Sequence, residues 1–304
     1  MIRRSPFLLI LLISLAGCWP IKHASPPVED LELVSVYPVD IPYPLEPSGL
    51  TQFKGSLFTV ADKDENTIYR VGISPPAAKL VPHIRFTPPN PYRMDWEGIS
   101  CDPAGNFYLI SEEQGRILQV RPDGECGWVS PDLMRPAAAT GLFAKPNAGF
   151  EGIAWLGPNH WLGAVEREPR GFVEYRSAHG ADEINSFLNE YSPHSNALPI
   201  LRLPDYAGLD TDSGNIYAIF RAAHLIVRLE RHENSLQESQ AWSYRHIETD
   251  PRWAYLSQTY GQAEGLVVEG NDVYLIFDNN LGGRQSDPND GRPMLVHARM
   301  PASF

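Results

Sequence analysis

Hydrophobic residues in this chain fall in short, separated runs and not in stripes of helical period. Paired runs recur along the sequence: 57–60 with 67–71, 107–110 with 117–120, 161–165 with 171–175, 216–220 with 225–229, and 273–277 with 294–298. β-Branched and aromatic residues dominate them, and turn segments such as Asp102-Pro103-Ala104-Gly105 and Asp212-Ser213-Gly214-Asn215 separate them, which predicts strands joined by tight turns. The first run of each pair is continuously apolar, as expected of a strand buried on both faces. Ahead of each pair stands a glycine tripeptide: Ser48-Gly49-Leu50, Glu97-Gly98-Ile99, Glu151-Gly152-Ile153, Ala207-Gly208-Leu209 and Glu264-Gly265-Leu266. Each tripeptide would start a further strand. The glycines are 49 to 57 residues apart, a period in the range of a four-stranded propeller blade.

The pattern predicts an all-β protein, a five-bladed β-propeller. The last repeat ends after its third strand, and residues 31–36 (Leu-Glu-Leu-Val-Ser-Val) form a spare strand ahead of the first tripeptide. Pairing that strand beside 294–298 would close the ring and cover two sheet edges. A weaker sixth unit within 176–205 or 238–262 stays open.

The chain begins differently. Arg3 and Arg4 precede a short apolar run, and Leu15-Ala16-Gly17-Cys18 matches a bacterial lipobox. The run is shorter than the ~20 residues a membrane-spanning helix needs. Residues 1–18 are therefore expected to be a lipoprotein signal peptide ending at a lipidated Cys18, residues 19–30 a flexible tether, and residues 31–304 the propeller. Trp19, in place of aspartate, points to a lipid anchor in the outer membrane with the domain facing the periplasm. The formal charge of −12 argues against nucleic acid, whose phosphates are met by Lys and Arg, and favours cations or cationic partners. Cys101 and Cys126 would lie two or three strands apart in one blade, beyond the reach of an undistorted disulfide, so free thiols are expected.

Strand direction puts the tripeptides and the ends of the second strands on one face, near the axis. The tripeptide positions carry Glu97, Glu151 and Glu264; the second strands end at Asp62, Glu112, Glu166, Arg221 and Asp278. Crowded carboxylates raise one another's pKa, and a hard cation relieves them, calcium taking 6–8 oxygens. The candidate calcium ligands are Glu97, Glu151 and Glu264, with Asp278 or Asn279. Asp62, Glu112, Glu166 and Arg221 are candidate ligand-binding residues, Arg221 either neutralising two carboxylates or holding an anionic group. The glutamates have two other readings: acceptors from neighbouring backbone amides that tie blades together, or, for Glu97, Glu112 and Glu151, catalytic acid–base groups. Asp62-Lys63-Asp64-Glu65-Asn66 lacks the glycine and distal glutamate of an EF-hand and reads as a solvated loop. Loops 87–92, 135–149 and 250–255 are expected to rim the same face, and 279–284 to open a candidate lid. The chain has no G-x-S-x-G, H-E-x-x-H, P-loop or dinucleotide fingerprint, and its scattered histidines read as structural.

Asp95-Trp96-Glu97-Gly98-Ile99, Ile110-Ser111-Glu112-Glu113, Asn147-Ala148-Gly149-Phe150-Glu151-Gly152-Ile153-Ala154 and Ala263-Glu264-Gly265-Leu266 resemble the phytase-like (esterase-like) β-propellers and their relatives, the SdiA-regulated periplasmic propellers. The resemblance spans about residues 31–300. It implies five blades, export or a lipid anchor, bound calcium, and hydrolysis of phosphoesters or carboxyl esters. Ala207 and Arg221 depart from a symmetric acidic ring. Three functions follow as expectations: a surface-anchored binder of calcium and an unidentified small ligand; a metal-assisted hydrolase with Glu97, Glu112 or Glu151 as general base; or a scaffold for envelope proteins.

Overall fold

Every paired apolar run becomes a strand, and each glycine tripeptide opens the strand ahead of it. The computed structural model describes residues 27–41, 45–89, 93–178, 180–194, 205–233, 235–256, 262–280 and 282–302. The expected export segment with Cys18, most of the expected tether, residues 90–92 of one expected rim loop and Leu281 lie outside the described residues. The strands are β1 (Val28–Asp30), β2 (Glu32–Asp40), β3 (Pro47–Phe53), β4 (Ser56–Ala61), β5 (Asp64–Ser74), β6 (Ala77–Arg85), β7 (Trp96–Cys101), β8 (Phe107–Ser111), β9 (Arg116–Val120) and β10 (Cys126–Trp128). They continue with β11 (Phe150–Gly157), β12 (His160–Val165), β13 (Gly171–Ala178), β14 (Ala181–Leu188), β15 (Tyr206–Asp212), β16 (Asn215–Phe220), β17 (Leu225–His232), β18 (Ser235–Ser243), β19 (Ala263–Glu269), β20 (Asp272–Phe277) and β21 (Met294–Arg299).

Consecutive strands pair antiparallel in the orders β7-β8-β9-β10, β11-β12-β13-β14, β15-β16-β17-β18 and β3-β4-β5-β6. The last group is β19-β20-β21-β2, in which β2 pairs antiparallel with β21, Val36 lying opposite Val296. This is the closure expected from the spare N-terminal strand, and it runs on to Asp40. There Val39 and Asp40 turn onto Ala78 and Lys79 of β6 in parallel, fusing two groups into one eight-stranded sheet. The expected tether ends early: β1 pairs parallel with β18, Val28 opposite Ala241, where an open sheet edge offers unpaired N–H and C=O groups. In the stretches where a sixth unit stayed open, the described residues include β14 and most of β18, each the outer strand of its neighbour, and residues 195–204 and 257–261 lie outside the described residues.

The continuous apolar second strands are explained by burial on two sides. On β8, Leu109 packs with Phe58, Val60 and Ile99, whereas Tyr108 and Ile110 pack with Ile153 and Trp161. On β16, Ala218 and Phe220 face Leu162 and Phe172, and Tyr217 and Ile219 face Leu266 and Leu275. On β20, Ile276 turns back to Leu50, Tyr69 and Val71 of the first group. The stacked sheets thus close on themselves as a β-propeller.

The glycines show how tightly they close. A Cβ on Gly49 would lie 2.9 Å from the Cα of Gly98; one on Gly98, 2.8 Å from that of Gly152; one on Gly152, 3.0 Å from that of Gly208. A Cβ on Gly208 would come 3.1 Å from the Cα of Gly265, and one on Gly265 within 2.4 Å of the backbone of Gly49 and Leu50. The cycle returns to its start. Side-chain-free backbones converge on one axis because no other residue fits there.

Cys101, Phe107, Val120 and Cys126 form one row across four adjacent strands, about 14 Å at the usual strand spacing, and both thiols are free. Gly98→Ala is expected to destabilise the protein by about 1–3 kcal/mol through overpacking. Gly127→Ala, where an added Cβ meets nothing within 4 Å, should stay within about 0.5 kcal/mol of the parent. Urea unfolding of the two variants checks both.

Candidate functional site

Each tripeptide is also a break in the ladder. The pairing of β7 with β8 shifts between Trp96 and Gly98, that of β11 with β12 between Phe150 and Gly152, and that of β19 with β20 between Ala263 and Gly265. Glu97, Glu151 and Glu264 are the extra residues. A bulge re-aims its side chain, and here the three glutamates turn into a cavity on the axis. The fourth group breaks from the same starting position, between Tyr206 and Leu209, and the first breaks one residue later, between Ser48 and Thr51.

A second contact repeats beside every bulge. The residue following the second strand donates its N–H to the carbonyl of the residue preceding the first: Asp62 to Glu46 (3.0 Å), Glu112 to Asp95 (2.9 Å), Glu166 to Gly149 (3.0 Å), Arg221 to Asp205 (3.2 Å) and Asp278 to Gln262 (3.0 Å). Each group therefore presents three positions to the axis, two flanking and one bulged. All of these but Gly149, Asp205 and Ala207 line a cavity of about 610 Å³ that carries nine carboxylates (Glu46, Asp62, Asp95, Glu97, Glu112, Glu151, Glu166, Glu264 and Asp278) and Arg93, Arg167 and Arg221.

Eight of the nine candidate residues expected to bind metal or ligand, Asp62, Glu97, Glu112, Glu151, Glu166, Arg221, Glu264 and Asp278, come together in this cavity. Asn279 does not. Its Nδ2 donates to the carbonyls of Gly282 (3.3 Å) and Gly291, so the amide fastens the following loop; Asn280 lines the cavity in its place. That loop is no free lid: buried Arg284 donates to the carbonyls of Trp253 (2.8 Å) and Arg292 (2.9 Å), and Tyr255 Oη to Arg292 O (2.9 Å).

The cavity has two electrostatic halves. In one, Arg221 is the shared cation. Its Nε donates to Asp205 Oδ2 (2.9 Å), Nη2 to Glu166 Oε1 (2.7 Å), and Nη1 to both oxygens of Glu264 (2.8 and 2.7 Å), with Glu151 Oε2 at 3.5 Å. Of the two roles expected for Arg221, the geometry shows the neutralising one. Asp205 also accepts from Ala222 N–H at 2.7 Å, pinning the short 3-10 turn that carries the arginine. Even so, burial pushes Glu151 up to about 8, Arg221 opposing the shift and Glu264 adding to it.

In the other half, one oxygen each of Asp95, Glu97 and Glu112 lies within 4.8 Å of the others. Among the described residues, the acidic group brought to metal-binding distance is therefore Asp95–Glu97–Glu112. The expected Glu97–Glu151–Glu264 set is not such a group, because Arg221 holds the last two. Burial, then the charges of Glu151 and Glu264, raise Glu97 well above the ordinary range. Burial also raises Glu112, although its Oε1 accepts from Gly149 N–H at 2.9 Å. A Cβ on Gly149 would strike Glu112 Cγ at 2.4 Å, which accounts for that glycine in Gly149-Phe150-Glu151-Gly152. Burial and a hydrogen bond shared with Asp62 lift Asp95 to about 7, while Asp62 falls below its ordinary value, the bonds to Asp95 and Lys63 outweighing burial. Arg93 Nη2 reaches Asp95 Oδ1 at 2.7 Å. Glu65 holds this corner in place: its Oε1 accepts from the N–H groups of Met94 (2.6 Å) and Asp95 (3.1 Å). The loop read as merely solvated is thus a positioning element.

Histidines outside the cavity are structural: His160 pairs with Glu174 (2.6 Å), His224 with Glu248 (2.8 Å) and His297 with Asp272 (2.7 Å). Among the described residues no helix is long and apolar enough to cross a membrane.

A closed ring of four-stranded sheets with bulged acidic residues round its axis defines a β-propeller with an axial acidic cavity. Residues 48–281 match the family described as SdiA-regulated, and the chain belongs to that family. Comparison with curated proteins gives no match. Among solved structures, glutaminyl cyclase of Myxococcus xanthus is similar at 10% identity and TM-score 0.53, over 90% of this chain and 98% of that one. The PQQ-bound aldose sugar dehydrogenase of Streptomyces coelicolor aligns at 13% identity and TM-score 0.47 over 90% and 99%. Virginiamycin B lyase of Staphylococcus aureus aligns at 14% identity and TM-score 0.42 over 86% and 69%. The first likeness supports the fold and carries no chemistry to this chain.

The raised carboxyls set a pH dependence. An acid whose folded pKa exceeds its unfolded value contributes fully below the unfolded value and loses that contribution as pH rises to the folded one. With Asp95 and Asp278 near 7 and Glu151 near 8, metal-free protein is expected to lose stability between about pH 4 and pH 8. Arg221→Met should cost a further 3–5 kcal/mol or so, more at pH 8 than at pH 5, because the carboxylates it leaves unpaired repel one another when charged. Thermal unfolding in chelator across that range checks the sign.

Proposed function

We propose that this chain is a five-bladed propeller, tethered through a lipid on Cys18 to the outer membrane and facing the periplasm, that binds calcium and a small ligand in its axial cavity. The observation that carries the cation reading is Glu97. It lies in the cavity wall with oxygens of Asp95 and Glu112 close by, has no ion pair or hydrogen bond to a described residue, and is burdened by neighbouring charge. Converging carboxylate oxygens suit a hard cation that takes carboxylates, carbonyls and water together. A cavity of about 610 Å³ leaves room for a small molecule besides. The five-blade count rests on the cycle of five close glycine contacts and on the groups of four strands.

A second reading is a metal-assisted hydrolase of phosphoesters or carboxyl esters. Glu151, pushed up to about 8, holds its proton at neutral pH. In that reading it is a general acid, and Glu112, whose Oε1 is fixed by Gly149, is the base.

Calcium is expected to raise the melting midpoint of the full-length protein, and Glu97→Gln to weaken calcium binding at least about tenfold, a loss of about 1.4 kcal/mol. Calorimetric titration measures it; unchanged affinity in Glu97→Gln would remove the site. Calcium-dependent turnover of aryl phosphates or aryl esters, abolished by Glu151→Gln, would decide for the hydrolase.

A further inference from the structure

The cavity holds a second constellation built like the first. Asp95, Glu97 and Glu112 occupy the two flanking positions and the bulge of their sheet; Gln262, Glu264 and Asp278 occupy the same positions where β19 meets β20. The same backbone bond joins the flanking residues, Glu112 to Asp95 at 2.9 Å and Asp278 to Gln262 at 3.0 Å. Gln262 and Asp278 are thus cross-strand neighbours whose side chains share one face of the sheet.

Their surroundings differ in a way that selects a ligand. Gln262 is 5% and Asp278 7% exposed, and both line the cavity. Gln262 Oε1 and Asp278 Oδ1 have no hydrogen-bond partner among the described residues. A buried acceptor left unmatched costs about 1–3 kcal/mol, so each calls for a donor. Asp278 Oδ2 is satisfied by Asn280 N–H at 3.1 Å. Both oxygens of Glu264 are held by Arg221. The constellation therefore offers one carboxylate not neutralised by an arginine and two oxygens that lack donors, too little charge for a divalent ion.

We infer that Gln262 and Asp278 form a second subsite that receives a primary ammonium group of the cavity's ligand. An ammonium brings one positive charge and three N–H donors. Two meet Asp278 Oδ1 and Gln262 Oε1, and the third faces the remaining carboxylates of the cavity. The surrounding negative field draws a cation inward. The inference rests on the axial cavity being a binding site, but not on the Asp95–Glu97–Glu112 cation position.

The test uses full-length protein at pH 8 with n-butylammonium chloride, 1-butanol as its uncharged isostere, and potassium chloride at equal ionic strength, with and without calcium. Butylammonium is expected to raise the melting midpoint by about 2–4 °C at concentrations well above its dissociation constant, and butanol and potassium to leave it unmoved. The shift should vanish in Asp278→Asn and in Gln262→Met, the second of which keeps its response to calcium, and persist in Glu97→Gln. No shift in the parent protein, an equal shift with potassium, or a shift that survives both Asp278→Asn and Gln262→Met would overturn it. A calcium response without an amine response sinks this subsite alone; an amine response without a calcium response sinks the metal position and leaves the subsite standing.

Discussion

The whole arrangement depends on backbones meeting where there is no space for a side chain. Each tripeptide glycine stands so close to the next that an added Cβ would fall 2.4–3.1 Å from its neighbour's backbone, well inside ordinary contact distance. That convergence sets the radius of the ring. It also fixes the direction in which the bulged residue just before each glycine can point. The cavity is therefore a product of the packing that closes the fold, and its acidic lining sits on the bulges and at the strand ends.

Because the backbone scheme repeats in every group, the chemistry of the cavity lies in the departures from it. Where other groups place an acid at the bulge, the fourth places Ala207; where others end their second strand in an acid, it places Arg221. A single guanidinium there binds Asp205, Glu166 and Glu264, so these carboxylates find their counter-charge inside the protein. On the other side Lys63 and Arg93 pair with Glu46, Asp62 and Asp95, and Glu97 and Glu112 have no such ion pair among the described residues. One substitution of an acid by a base divides a nearly symmetric cavity into a neutralised side and a side that still attracts positive charge.

Much of this was legible in the sequence. The glycine spacing and the uninterrupted second strands marked the sheets, and the residue before each glycine marked Glu97, Glu151 and Glu264. The partner flanking each bulge from the other side was not legible. Asp95, Asp205 and Gln262 stand two residues ahead of the bulge position, outside the repeated tripeptide, and only the strand-end hydrogen bond shows that they face Glu112, Arg221 and Asp278. The same backbone contact, sought in every repeat, would have found them. Asn279 misled because adjacent residues at a strand end point to opposite sides: Asp278 enters the cavity and Asn279 turns to the loop. β1 was hidden because its residues, Val28-Glu29-Asp30, carry no apolar run; the edge of β18 recruits them.

The seam between β2 and β21 has a consequence for how the molecule comes into being. Residue 36 must meet residue 296, and the sheet it completes packs against the first group through Val267, Ile276 and Leu295. Contacts so distant along the chain are slow to form. During synthesis the N-terminal strand waits for β21 while nearly the whole remaining polypeptide is made. The earlier sheets can stack meanwhile, but the group β19-β20-β21 lacks its outer strand until that meeting takes place. The ring is thus sealed by two segments that lie near opposite ends of the polypeptide.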